Sequence, residues 1–150
     1  MLTLFQSALT LDTSAYTDLD TLADLVEITR AARGGANAVK LVSVEILDKD
    51  DQGIGLDLLF FGATVVLDAK NAAWALSDTL MAGCQGMVQV ASADFIDLGG
   101  NRVATKRDLG LVLRPDSGTS LFLATRVNGG TPTYTASGLR VTLGFERLEH

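Results

Sequence analysis

The chain has 150 residues, 47% hydrophobic and 20% charged, the balance of a globular protein and not of a disordered one. That length suits one domain, able to bury roughly 70% of its unfolded surface. The formal net charge is −6, and the 12 Lys and Arg are scattered singly or in pairs such as Lys106-Arg107, which argues against nucleic acid as a partner because phosphate binding needs clustered cations.

No apolar run reaches the roughly 18 residues needed to span a bilayer. The opening "MLTLFQSALTLD" lacks a basic n-region and alternates polar with apolar residues, so it does not read as a signal peptide. Cys84 is the one cysteine, so folding needs no disulfide and no oxidising compartment. The one histidine is His150, in a terminal "LEH" at 148–150 that reads as an expression-tag remnant. Setting the remnant aside leaves a domain over 1–147 without histidine, the commonest general base and metal ligand.

In chain order, "LTLFQSALTL" reads as a first strand, either within the domain's own sheet or as an arm pairing with a neighbour. "DTLADLVEITRAAR" admits a helix, with Leu22, Leu25, Val26 and Thr29 on one face, or a strand over Leu25 to Thr29. The β pattern elsewhere favours the strand. "AVKLVSVEILD" places Val42, Val44 and Ile46 on one side and Ser43 and Glu45 on the other. "DKDDQG" at 48–53 separates it from "LDLLFFG", which is apolar on both faces.

"NAAWALSDTLMAGCQG" at 71–86 predicts a short helix over Asp78 to Ala82, capped by Ser77 and ended by Gly83. Strands follow in "LGLVLRP" (Leu109, Leu111, Leu113), in "TSLFLATRV" (Leu121, Leu123, Thr125 against Phe122, Ala124, Arg126) and in "SGLRVTLGFER". In the last, Leu139, Val141, Leu143 and Phe145 point one way, and Arg140, Thr142, Gly144 and Glu146 the other. Turn signals recur in "RGGAN" at 33–37, "DKDDQG", "LGGN" at 98–101, "RPDSG" at 114–118 and "VNGGTP" at 127–132. Short strands with a turn every dozen or so residues predict an all-β antiparallel sandwich of jelly-roll type, with one short helix in a connection.

The acidic loop with Asp48, Asp50 and Asp51, followed by Asp57, raises the question of a calcium site. An EF-hand loop counted from Asp48 has Asp50 at position 3 and Gly53 at position 6. It has Gln52 at position 5 and Leu59 where a bidentate Glu belongs. The expected structure is therefore a solvated acidic hairpin turn, in which neutralising Asp48, Asp50 and Asp51 changes stability by no more than about 0.5 kcal/mol.

Asp94 and Asp97 are the best-spaced carboxylate pair, but strand alternation would put them on opposite faces, and Asp97 before "LGG" reads as a turn residue. "GTS" at 118–120 and "ASG" at 136–138 are not nucleophile elbows. Cys84 reads as a buried or half-buried thiol and Trp74 as a packing anchor. No catalytic, cofactor-binding or metal-binding residue is assigned, and no enzyme activity is expected.

"SADFIDLGGNRVATKRDLGLVLRPDSGTSLFLATRVNGGTPTYTASGLRVTLGF", Ser92 to Phe145, resembles a family of small proteins encoded by tailed bacteriophages and prophages. "LVSVEILDKDDQGIGLDLLFF" is similar to their earlier segment. The resemblance spans most of the chain. It implies a non-enzymatic virion structural protein of the head decoration (cement) type, a jelly-roll sandwich made in the bacterial cytoplasm and bound to the capsid exterior through the major capsid protein. No catalytic residue is implied.

The two-faced apolar strand at Leu56 to Phe61 adds an expectation of a homo-oligomer, trimer or dimer, covering the second face. The alternative is a carbohydrate- or receptor-binding module of a tail or fibre. Sugars stack on exposed aromatics, and Trp74, Tyr16 and Tyr134 are few for that purpose.

Overall fold

The computed structural model describes residues 2–33 and 37–148. Part of the expected turn at 33–37 and most of the tag remnant at 148–150 lie outside them.

Among the described residues, ten strands run β1 (Leu2–Ala8), β2 (Val26–Ile28), β3 (Val39–Asp48), β4 (Gly55–Phe61), β5 (Cys84–Val90), β6 (Phe95–Asp97), β7 (Arg102–Lys106), β8 (Leu111–Leu113), β9 (Leu121–Asn128) and β10 (Leu139–Arg147). One short helix, α1 (Asp78–Met81), stands between β4 and β5. Ser77 caps it, its Oγ accepting from Leu80 N. The strands form a six-stranded antiparallel sheet, β1-β10-β3-β7-β6 with β8 also on β3, and a four-stranded antiparallel sheet, β2-β9-β4-β5.

The chain changes sheet at six of the nine connections between these strands: β1, β3, β6, β7, β8 and β10 lie in one, and β2, β4, β5 and β9 in the other. That alternation is the double Greek key of a jelly roll. The segment 21–33 holds β2, so the strand reading is right there and the helix reading is not.

The core lies between the sheets. Leu139, Val141, Leu143 and Phe145 of β10, Leu56, Leu58 and Phe60 of β4, and Leu121, Leu123 and Val127 of β9 belong to one buried cluster. Each such side chain contributes about 1.5–3 kcal/mol on burial.

Two local departures from simple alternation are informative. In β3 the buried apolar residues are Val39, Leu41, Val44 and Ile46. Val42 does not share the core face as the alternation predicted. β10 pairs Gly144 with Ser43 and Phe145 with Leu41, which leaves Val42 as a bulge residue, and one extra residue reverses the parity of everything beyond it. Leu109 packs against the core but stands outside β8, its N–H donating to Val42 O at 3.1 Å.

The loop 48–53 is likewise no hairpin. It joins β3 in one sheet to β4 in the other and forms a corner of the sandwich.

Candidate interaction surface

Each acidic residue of the corner 48–53 has a bonded role. Asp48 is buried. Its Oδ1 accepts from Asp50 N at 3.0 Å, and its Oδ2 from Gln52 N at 2.8 Å and Gly53 N at 2.7 Å. The carboxylate thus holds the corner together from inside. Asp50 accepts from Thr135 N at 2.8 Å, tying the corner to the segment before β10. Asp51 pairs with Arg102 Nε at 2.6 Å. A Cβ at Gly53, whose φ is +64°, would meet the Arg102 side chain at 2.9 Å, so glycine suits the backbone there and a larger residue would displace Arg102. The expectation of an acidic tip facing water is therefore corrected for Asp48: the corner turns the chain between sheets, and its first carboxylate satisfies otherwise orphaned N–H groups.

Asp57 is fully buried on the outward side of β4. Register places it between Gln89 of β5 and Arg126 of β9. Arg126 Nε and Nη2 donate to Oδ2 at 2.9 and 2.6 Å, and Gln89 Nε2 and Asn128 Nδ2 donate to Oδ1 at 3.0 Å each. Four donors and a paired charge make this a closed network, the condition under which a buried carboxylate is tolerated.

Asp94 and Asp97 are not brought together as a catalytic pair. Asp94 lies in a 3₁₀ turn at Ser92–Asp94, before β6 and not within it. It accepts from Ala91 N at 2.8 Å and pairs with Lys106 Nζ at 2.8 Å. The Lys106 ammonium, then the Ala91 N–H, hold its carboxyl below the ordinary range. Asp97 Oδ1 accepts from Gly99 N at 2.8 Å in the β6–β7 turn, the turn role expected of it. Among the described residues no cluster of three or more His, Cys, Asp or Glu has the arrangement of a metal site, and no helix is long and apolar enough to cross a membrane.

The aromatics are engaged in packing. Tyr16 and Tyr134 are buried at 1% and 2% exposure, edge to face with centroids 6.0 Å apart. Tyr16 Oη donates to Leu22 O at 2.6 Å and accepts from Asp12 N at 2.8 Å. Trp74 is half-buried in a second apolar cluster with Leu59, Phe61, Ala124, Val65, Leu67, Met81, Phe122 and Cys84.

That second cluster corrects the reason given for an oligomer. The outward residues Leu59 and Phe61 of β4 need a cover, and the chain supplies it from within. Val65, Leu67, Trp74 and Met81, in and around the connection that carries α1, lie over the four-stranded sheet. Backbone bonds pin this connection in place: Thr21 N to Ala72 O at 2.8 Å, Asn71 N to Thr21 O at 2.8 Å, and Trp74 N to Leu19 O at 3.3 Å.

Among the described residues, none covers the six-stranded sheet in this way. Register defines its outward rows: Ile96, Val103, Leu47, Arg140 and Ala8 in one; Thr105, Glu45, Thr142 and Gln6 in the next; Ser43, Gly144 and Leu4 in a third; Val112, Lys40, Glu146 and Leu2 in a fourth. Apolar side chains stand at its margins, Ile96 at 67% exposure, Val112 at 55%, Leu2 at 72% and Leu4 at 79%. Its centre is polar, with Arg140 against Glu45 at 3.5 Å and Lys40 against Glu146 at 3.8 Å. Between Leu4, Ser43, Glu45, Thr105, Arg107 and Thr142 lies a depression of about 330 Å³. Gly144 sits in the row between Leu4 and Ser43, and a Cβ there would run into Ser43 Oγ. Five strands at about 4.8 Å spacing make the face about 24 Å wide. Sequence reading missed this surface because each strand alone shows only an ordinary wet side.

No protein-family model matches the chain, and no curated protein does. Among solved structures, the chain is similar to the infectious bursal disease virus VP2 subviral particle, at 12% identity and a TM-score of 0.39. It is also similar to the structure of infectious bursal disease virus Gt strain, at 11% identity and a TM-score of 0.38. The chain is covered over 99% of its length in both cases but spans only 37% of the viral chains.

Proposed function

We propose that the protein is a non-enzymatic structural component of a phage virion, a head decoration protein that docks on the outside of the capsid. The observation that carries this reading is the asymmetry of the sandwich. The apolar centre of one sheet is covered by the chain's own connection, and the other presents a broad, mixed apolar and polar face to solvent. A rim of apolar side chains around charged pairs suits docking onto another protein surface, where buried apolar anchors supply affinity and polar groups supply register. The acidic residues that first suggest chemistry are spent on holding the fold. The sequence resemblance of Ser92 to Phe145 to small tailed-phage proteins supports the same reading.

Binding to expanded phage heads lacking the protein, read by co-sedimentation and by the temperature of head disruption, tests it. Saturable binding with a raised disruption temperature is the expected result. Absence of binding at micromolar protein overturns the head assignment. The burial of Tyr16 and Tyr134 and the packing of Trp74 leave the carbohydrate-binding alternative without its stacking platform among these three residues.

A further inference from the structure

We infer that β1 pairs with β1 of a second copy about a two-fold axis at Phe5, so that two sandwiches join through one continuous sheet. The inference goes beyond head docking and does not depend on it, since it concerns the edge of the open sheet and not its face.

β1 ends the six-stranded sheet, with β10 on one side and no strand of the described residues on the other. Leu9 N–H donates to Leu139 O at 2.9 Å, in register with the ladder that pairs Ala8 with Arg140. Backbone groups in an antiparallel ladder alternate in direction. The odd residues of β1 therefore face β10, and Leu2, Leu4, Gln6 and Ala8 direct their N–H and C=O groups to the free side. Within the described residues only a local hydroxyl, Ser7 Oγ on Ala8 O, reaches any of these groups.

Natural edges are blunted by charge, proline, bulges or shortness. β1 has seven residues, "LTLFQSA", with no charge, no proline and no glycine, and it pairs with β10 through seven consecutive positions without a bulge. It carries none of the usual protections.

The occupant follows from the register. Antiparallel self-pairing centred on Phe5 puts Leu2 opposite Ala8 and Leu4 opposite Gln6. All four residues with free backbone groups become hydrogen-bonded pairs, and every side chain keeps its face. Thr3 meets Ser7 and Phe5 meets Phe5 on the core side. There a depression of about 330 Å³ opens beside the edge, lined by Phe5, Ile28, Ala31 and Phe145 among others, with room for the ring of the second Phe5.

The charges agree in sign. Glu146 neighbours Leu2 and Arg140 neighbours Ala8, so each Glu146 shares a row with Arg140 of the other copy, three strand spacings or about 14 Å away. The dimer carries two open faces side by side on one sheet, so that head contacts made by both add through effective concentration.

Sedimentation velocity of the full chain at micromolar concentrations, with Leu4→Lys and Leu4→Pro beside it, tests the proposal. Leu4 is 79% exposed, so lysine there leaves the fold intact, and proline removes one outward N–H without touching the β10 ladder. The expected result is a species of twice the 15.8 kDa chain mass for the parent protein. Both variants dissociate at least about tenfold more readily, a loss of about 1.4 kcal/mol, with unchanged far-UV circular dichroism. A monomeric parent protein overturns the inference and leaves the edge to a strand of another protein. A dimer or larger assembly that survives Leu4→Lys places the contact elsewhere and overturns it too.

Discussion

Three backbone N–H groups converge on the buried Asp48 carboxylate, and this makes its substitution unlike that of its neighbours. Asp48→Ala leaves those donors without partners inside the corner, and a loss of about 2–3 kcal/mol is expected from urea unfolding. Asp51→Ala removes a partly exposed pair with Arg102 and costs no more than about 1 kcal/mol. Equal effects at the two positions would contradict the assignment of Asp48 as the organiser of the corner.

Tyr134 and Tyr16 set the alkaline behaviour. Burial, then nearby carboxylates, raises the Tyr134 phenol above its ordinary value. Burial does the same to Tyr16, partly offset by the bond from Asp12 N. Below about pH 10 both folded and unfolded chains hold the phenolic proton, and this contribution to stability is fully present. As pH rises further, the unfolded chain ionises first and stability falls, until the folded phenols also titrate. The thermal midpoint should therefore drop above about pH 10, and Tyr134→Phe should flatten that drop.

Among the strands, β4 shows how one segment is held from two sides. Leu56, Leu58 and Phe60 enter the main core, and Leu59 and Phe61 enter the smaller cluster under Trp74. Asp57 precedes those two residues on the same outward face, and its cross-strand partners come from both flanking strands. Arg126→Met leaves the carboxylate buried without its cation, at an expected cost of about 3 kcal/mol. Replacing both, Asp57→Leu with Arg126→Met, should cost much less than the two single changes added, because no uncompensated charge remains. A double-mutant cycle in urea measures this coupling. Additive losses would show that the pair acts independently.

Across the molecule, the open face of the six-stranded sheet separates stability from function. Thr105 lies exposed in it, opposite Glu45. Thr105→Arg fills the depression and can pair with Glu45, so the thermal midpoint should stay within about 2 °C of the parent, as for most surface changes. Head binding, in contrast, should fall by at least about tenfold if this face docks. Unchanged binding by the variant would remove the face from the interface.

The strands with unbroken period-two patterns were legible from the residues alone. β10 shows Leu139, Val141, Leu143 and Phe145 in and Arg140 and Thr142 out, as read, because a half-buried strand writes its two environments into alternate positions. The Ser77-capped helix was legible for a similarly local reason, a side-chain oxygen beside its own orphan N–H groups.

What stayed hidden was non-local. The bulge at Val42 exists only against β10. The burial of Asp48 depends on β3 and β4 lying in different sheets. Leu59 and Phe61 looked in need of a second molecule because nothing in "LDLLFF" says that Trp74 and Met81, many residues later, return to cover it. Composition and alternation thus decided a β-sandwich, since those signals are carried by neighbours in the chain. Which sheet is covered, which face is open and which edge is free were decided by tertiary structure, since cover and register are relations between strands distant in sequence.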